Sequence, residues 1–217
     1  MAKKPSDKKT KVSKIIQLLE KEHPDAKVAL HHSNPLELLI ATILSAQCTD
    51  ERVNIVTKTL FKKYRTPEDY VKADVKELEN DIRSTGFFRN KTRNIKGCCK
   101  MLIDKFNLQV PRTMEEMLEL PGVARKTANI VLSHAYGVVE GIAVDTHVRR
   151  LAQRLGLTEN EDPNKIEADL MQIVPKNKWM RITDLLIFHG RRVCTAKKPN
   201  CAGCVLNKIC PSAFTFD

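Results

Sequence analysis

Apolar residues recur at helical spacing along most of this 217-residue chain, and no other feature limits its fold as strongly. Segments in which Val, Ile and Thr alternate with polar residues, the usual sign of strands, are nearly absent. Apolar residues predict helices over residues 35–47 and 51–64, and Thr66-Pro67 is typical of a helix start, with a capping hydroxyl followed by proline. The pattern therefore predicts an all-α protein.

The charge of the chain favours a polyanionic partner. It has 37 Lys and Arg against 26 Asp and Glu, a formal net charge of +11. Residues 1–14 hold six lysines and one aspartate, and we expect residues 1–12 to be a disordered, solvated tail rather than a nucleic-acid arm. Basic residues at helical spacing also predict a charged stripe on a helix over residues 89–106: Arg89, Arg93, Lys96 and Lys100.

The chain shows no sign of membrane insertion or export. No apolar run approaches the roughly 20 residues that a membrane-spanning helix needs, and residues 1–7 have no apolar stretch behind their charges. We therefore expect an intracellular protein, in the cytoplasm or nucleoid of a prokaryote or in the nucleus or a mitochondrion of a eukaryote. Because reductants there keep thiols free, seven cysteines predict metal ligation or buried thiols rather than disulfides. Cys48, Cys98 and Cys99 have apolar helical neighbours, which predicts small buried side chains.

Residues 114–135 have the pattern of a helix, a tight turn with Pro121 and Gly122, and a second helix. This pattern predicts a helix-hairpin-helix. Glycine permits a positive φ, and the N–H groups that start the second helix can hold a DNA phosphate without reading sequence. Gly122, Ala124 and Arg125 are thus candidate DNA-binding residues. A plain corner between two helices also uses proline and glycine, so the pattern alone leaves that alternative open.

Two residues near the hairpin carry candidate catalytic groups. Lys126 lies in the first turn of the second helix, where the helix dipole and neighbouring Arg125 both disfavour a protonated ammonium. A neutral amine can attack a sugar carbon to form a Schiff base, although a phosphate contact is the alternative for a lysine here. Asp145 precedes another helix and is expected to be its N-cap, with a second oxygen that could steady a developing cation or relay a proton.

Four cysteines near the C-terminus, Cys194, Cys201, Cys204 and Cys210, form the motif C-x6-C-x2-C-x5-C within 17 residues and predict a metal centre. Four thiolates suit either tetrahedral zinc or an iron–sulfur cluster, and the residues alone slightly favour zinc. The loop between the first two ligands would be pinned by them. Because it carries Lys197 and Lys198, it predicts a rigid basic projection suited to phosphates.

Taken together, these segments resemble the endonuclease III family: LPGVARKTA at residues 120–128, VDTH at 144–147 and the four-cysteine motif. The run SAQCTD at 45–50 fits as well, so the resemblance spans about residues 12–212. It implies a monomeric, bifunctional glycosylase and AP lyase that excises oxidised pyrimidines from double-stranded DNA and cleaves the abasic strand by β-elimination.

The resemblance also implies a fold of two helical domains with a DNA-binding cleft between them. A six-helix barrel that bears the helix-hairpin-helix would comprise residues 28–139. A second domain that holds a [4Fe-4S] cluster would combine residues 1–27 with 140–217.

Roles for single residues follow from the same resemblance. Lys126 would attack C1′ of a flipped, damaged nucleotide, and Asp145 would assist. Gln47 would fill the gap left by that nucleotide, and Phe87 would wedge into the base stack. Two positions depart from the family pattern: Ala124 replaces a more usual glycine, and Phe87 a smaller aliphatic side chain.

The sequence leaves two other functions open. The mismatch adenine glycosylase of the same superfamily shares the hairpin and the cysteines, but it lacks the lysine nucleophile and has Asp-Gly-Asn in place of Asp145-Thr146-His147, so Lys126 disfavours it. A non-catalytic module that only grips duplex DNA is the alternative from a different class. It leaves the presence of both Lys126 and Asp145 unexplained.

Overall fold

The computed structural model describes residues 5–216, with side chains from residue 7 onward. Over this range the chain forms eleven α-helices, two 3-10 helices (Arg83–Thr85 and Lys176–Lys178) and no strand, which confirms the all-α prediction. None of the described helices has the length and apolar character needed to cross a membrane. The α-helices are α1 (Pro5–Glu22), α2 (Pro35–Leu44), α3 (Asp50–Lys63), α4 (Pro67–Lys72), α5 (Val75–Ile82), α6 (Phe88–Phe106), α7 (Met114–Glu119), α8 (Arg125–Tyr136), α9 (Thr146–Arg154), α10 (Pro163–Ile173) and α11 (Trp179–Arg192).

Helix starts follow the capping chemistry of the sequence. Thr66 caps α4 in a capping box with Asp69, and Pro67 occupies the first helical turn, where a missing N–H costs nothing. Asp162 caps α10, and its side-chain oxygen accepts from the backbone N–H groups of Asn164 and Lys165. These contacts satisfy N–H groups that a helix start leaves without partners.

The described residues up to Val28 and those from Gly141 onward form one compact unit, here called the terminal unit. Its core joins the two chain segments, because α1 packs against α10 and α11. Ile15 and Leu19 of α1 and Leu185 of α11 are all fully buried in one apolar cluster. Burying such a side chain contributes about 1.5–3 kcal/mol, so α1 is an integral part of this unit.

Ala29–Glu140 form a second compact unit, here called the central unit, which contains α2 to α8. Every residue from Leu38 to Leu44 of α2 is buried, because α2 packs against α3, α6 and α8. A helix that is apolar on all faces is expected at the centre of such a bundle. The 19-residue α6 packs against α4 and α5 as well.

The basic N-terminal segment differs from its prediction. Residues 1–4 lie outside the described part of the chain, whereas residues 5–12 belong to α1, so the expected disorder up to residue 12 is wrong for this stretch. Val12 is fully buried in the core. The Lys11 ammonium donates a hydrogen bond to the carbonyl oxygen of Leu155, just after α9. Apolar burial and this contact hold the segment in place despite its charge.

The predicted basic stripe on α6 is incomplete. Lys96 is half-buried, and its ammonium donates to the carbonyl oxygens of Tyr70, Val71 and Ala73 at 3.0, 2.7 and 2.6 Å. These carbonyls lie at the end of α4, where helical acceptors lack partners, so the lysine caps that helix. The other three members of the stripe are exposed.

Two of the three cysteines outside the motif are buried as predicted. Cys98 and Cys99 are inaccessible to solvent in α6, and burial raises the pKa of the Cys98 thiol to about 12. Both therefore act as small neutral core residues. Cys48 is only half-buried, in the turn after α2.

Candidate active site and nucleic-acid interface

The central unit contains the predicted helix-hairpin-helix. Between α7 and α8, Gly122 has φ of +80°, a left-handed conformation that favours glycine. A Cβ at this position would come within 2.8 Å of the Asn94 Cβ on α6. Glycine is therefore required both by the turn conformation and by the close packing of the turn on α6.

The start of α8 carries no side-chain cap. Its N-cap residue is Ala124, which makes no capping hydrogen bond. Gly122 and Ala124 are exposed and Arg125 is partly exposed. Backbone N–H groups at an uncapped, exposed helix start lie at the positive end of the helix dipole, which is the chemistry of a phosphate site. This geometry favours a phosphate site over a plain corner between helices.

Lys126 is the second residue of α8, and its side chain is exposed. The helix beneath it is fixed by the buried side chains of Ala128, Val131 and Leu132. A rigid element therefore presents this amine directly beside the hairpin turn. Its role as a nucleophile stays a prediction.

Asp145 in the terminal unit is the N-cap of α9, as predicted. Its Oδ1 accepts hydrogen bonds from the backbone N–H groups of His147 and Val148, both at 2.8 Å. Both bonds use the same oxygen, so capping does not engage Oδ2. The residue is half-buried, and the cap fixes the direction of its carboxylate. Capping and a chemical role are thus compatible.

Gln47 and Phe87 lie in two exposed turns of the central unit. Gln47 follows α2 with φ of 53°, and Phe87 directly precedes α6 with φ of 47°. Left-handed conformations are uncommon for residues other than glycine and cost free energy. Phe87 is 64% exposed, so it is not a core aromatic. Both side chains are therefore exposed on turns whose left-handed backbone conformation costs free energy.

The four cysteines of the motif line one cavity of the terminal unit. Each is half-buried, and Arg154 and Phe216 line the same cavity. Among the described residues, no three His, Cys, Asp or Glu side chains converge on a point that could hold one metal ion. Four thiols that line one cavity without converging on a single point fit a multi-atom iron–sulfur cluster better than a single zinc ion.

Hydrogen-bond donors approach two of these sulfurs. The Arg154 guanidinium lies 3.3 Å from Cys194 Sγ, and the backbone N–H of Leu206 lies 3.4 Å from Cys204 Sγ. His189 Nε2 is 3.3 Å from Cys204 Sγ as well. The N–H donors of Arg154 and Leu206 stabilise a thiolate, which is the form that ligates a metal centre.

The loop that follows Cys194 is held by a hydrogen bond within the loop and by another from α9. Thr195 Oγ1 donates to the Lys198 carbonyl oxygen at 2.7 Å, and Arg154 donates to the Thr195 carbonyl oxygen at 2.8 Å. The side chains of Lys197 and Lys198 are exposed. The loop therefore has the shape and charge expected of a basic projection.

The structure divides the predicted site residues between the two units. The hairpin residues, Lys126, Gln47 and Phe87 belong to the central unit. Asp145, the four motif cysteines and the lysine pair belong to the terminal unit.

Two arginines of α9 also contribute to this region, although no motif in the sequence marks them. Arg150 donates to the carbonyl oxygens of Gly190 and Cys194 at 2.9 and 3.0 Å, and Arg154 donates to that of Ala196 at 2.8 Å. Their spacing of four places both on one face of α9, which is the only sign of them in the sequence. They attach the first cysteine of the motif to the helix that Asp145 caps.

Comparisons with known proteins agree on one family. Residues 40–176 match the family model described as HhH-GPD superfamily base excision DNA repair protein. Endonuclease III of Synechocystis sp. is 51% identical over 213 residues, which cover 98% of this chain and 97% of that protein. A non-covalent endonuclease III–DNA complex superposes with a TM-score of 0.92 at 50% identity, covering 95% of this chain and 97% of that one. A trapped endonuclease III–DNA covalent intermediate, an estranged-adenine complex, matches with the same values.

Proposed function

The chain belongs to the endonuclease III family of the HhH-GPD superfamily and is a base excision DNA glycosylase with AP lyase activity. We propose that Lys126 is its nucleophile. The amine attacks C1′ of a damaged pyrimidine nucleotide, and the bond from C1′ to the base breaks. The bond from C1′ to the ring oxygen O4′ then breaks, and an imine forms between Lys126 and the opened sugar, while the two amine protons end on the departing base and on O4′. The imine makes the C2′ proton acidic, and its removal lets β-elimination break the strand on the 3′ side.

One observation carries this proposal: Lys126 follows the uncapped start of α8 by a single residue. A phosphate bound by the N–H groups at that start fixes the DNA strand next to the amine. The reaction requires the amine to lie next to the DNA strand, and the hairpin both binds the strand and carries the amine.

Asp145 is proposed to assist this step. Its cap bonds hold Oδ1, so Oδ2 can face the reacting sugar with a fixed orientation. A carboxylate placed there stabilises positive charge that develops at C1′ as the base departs, or relays the proton that the base needs.

DNA binding is proposed to use both units. Gly122, Ala124 and Arg125 hold backbone phosphates through the hairpin, and Lys197 and Lys198 add a second electrostatic contact. The double-stranded substrate must open for the lysine to reach C1′, at a cost of a few kcal/mol that is lower for a damaged, poorly stacked base. In this scheme Gln47 fills the gap and Phe87 wedges into the stack.

A cleavage assay on a panel of duplexes tests the proposed activity. We expect strand cleavage at thymine glycol, at 5-hydroxycytosine and at an abasic site, because Lys126 can form the imine on each of these sugars. Adenine opposite 8-oxoguanine should remain in place. Release of that adenine without strand cleavage would instead identify the mismatch adenine glycosylase activity, and binding with no release or cleavage would identify a DNA-binding module.

Cys194, Cys201, Cys204 and Cys210 are proposed to hold a [4Fe-4S] cluster. All four line one cavity, and the donors near Cys194 and Cys204 suit bound thiolates. Because the four cysteines would occupy every protein-side position of such a cluster, it would supply structural cross-linking of residues 194–210 rather than bond-making chemistry. It would fix the loop that carries Lys197 and Lys198.

Metal analysis tests this assignment. Protein purified without oxygen should contain iron and acid-labile sulfide in equal amounts, about four of each per chain. Cys204→Ser should lose most of both, whereas Cys48→Ser, in the central unit, should keep them. Zinc alone in the anaerobic material would contradict the cluster.

A further inference from the structure

Lys91 of α6 is a buried lysine that the proposed chemistry does not use. It is only 4% exposed, and burial lowers the pKa of its ammonium. Its Nζ donates to the carbonyl oxygen of Leu44 at 2.7 Å and to that of Thr85 at 2.8 Å. Burying a lysine costs free energy unless its ammonium is well paired. The two hydrogen bonds provide that pairing, and the buried position of Lys91 calls for an explanation.

Both acceptors end a helical segment. Leu44 is the last residue of α2, and Thr85 is the last residue of the 3-10 helix Arg83–Thr85. Carbonyl groups at helix ends lack partners and carry partial negative charge, so an ammonium between two of them is stabilised by both. The two ends are far apart in sequence, and one side chain joins them.

The segments that directly follow Leu44 and Thr85 carry the two residues that are proposed to enter the duplex. Gln47 is three residues after Leu44, and Phe87 is two residues after Thr85. Both have left-handed backbones, which persist only where the surroundings hold them. The backbone N–H of Lys91 also donates to the Phe87 carbonyl oxygen at 3.0 Å. Lys91 therefore contacts the base of both turns.

We propose that Lys91 is a positioning residue that holds Gln47 and Phe87 together in the geometry needed to enter the duplex. This inference rests on the insertion roles proposed above for Gln47 and Phe87. A buried clamp fixes the two turns during folding, so ordering them does not oppose DNA binding. Lys91 itself is too buried to touch DNA.

A double-mutant cycle tests the clamp. Lys91→Met keeps an unbranched apolar chain of similar length but removes the donor. We expect Phe87→Ala to slow excision of thymine glycol from duplex DNA about tenfold in the wild-type background and at most about twofold in the Lys91→Met background, since residues that act as one unit are not additive. A 2-aminopurine next to the lesion should show the same pattern in its fluorescence rise on binding. Gln47→Ala should behave like Phe87→Ala.

Lys96→Met is the matched control. Lys96 lies on the same helix and its ammonium also caps carbonyl groups, but those carbonyls end α4 and lead to neither turn. Its removal should lower thermal stability, while Phe87→Ala in that background should still cost about tenfold. If Lys91→Met does not fold, Lys91→Arg, a charged donor of different reach, provides the same cycle and should give a partial loss of coupling.

The outcomes separate the clamp from the insertion roles. If Phe87→Ala and Gln47→Ala slow excision equally with and without Lys91, the clamp is wrong and the insertion roles stand. If neither variant slows excision in the wild-type background, the insertion roles fail, and the clamp fails with them.

Discussion

A Lys126→Ala variant is expected to form no covalent complex with abasic DNA under borohydride and to lose strand cleavage by a factor of at least about 10⁴, because removal of a nucleophile eliminates the covalent route. Duplex affinity should stay within about threefold of the wild type, since the phosphate contacts belong to the hairpin backbone and to other side chains. Denaturing gels measure the trapped complex, and fluorescence anisotropy measures the affinity.

Arg125→Gln is the control for this variant. It removes a charge from the neighbouring position of the same helix turn and should weaken duplex binding, with little change in trapping when protein is in excess. A trapped complex that persists in pure Lys126→Ala protein would assign the imine to another amine.

Asp145→Asn is expected to have the second-largest effect. Asparagine caps a helix as well as aspartate does, so α9 should keep its start and the free energy of unfolding should change by less than about 0.5 kcal/mol. The negative charge is lost, and single-turnover excision should fall by about 10² to 10⁴, the range for a positioned acid or base. Thermal unfolding and excision kinetics on the same samples separate the two functions of this side chain.

Two further variants make the Asp145 result interpretable. Asp145→Ala removes the cap as well as the charge and should lose a further ~1 kcal/mol of stability. Asp162→Asn makes the same chemical change at the exposed N-cap of α10 and should leave excision unchanged. An Asp145→Asn enzyme with wild-type kinetics would limit Asp145 to capping.

Local chemistry explains what the sequence could predict. Periodic apolar residues predict helices, and the N-caps Thr66 and Asp145 are present where their side chains indicate them. The hairpin is equally local, because Gly122 has the positive φ that its turn requires. In each case the information lies within a few residues of the element that it specifies.

Contacts to backbone carbonyls could not be predicted in this way. Lys91 and Lys96 look like solvated charges on α6, yet each donates to carbonyl groups from other parts of the chain. Every residue has a carbonyl, so no residue type marks an acceptor. Because the acceptors of Arg154 are also backbone carbonyl groups, the sequence does not indicate them. The same holds for the acceptor of Lys11, which is why the residues around it were expected to be a free tail.

The choice between zinc and an iron–sulfur cluster also required the three-dimensional structure. Four cysteines with this spacing are chemically equivalent ligands for either group. The structure adds that these four thiols line one cavity without converging on a point suited to a single ion, and this arrangement favours the cluster.

Peptide mapping by mass spectrometry of the wild-type protein after borohydride reduction with abasic DNA tests the central claim most directly. The account predicts that the reduced sugar remnant is attached to Lys126 and to no other amine. A remnant on a different lysine or on the N-terminal amine would contradict it.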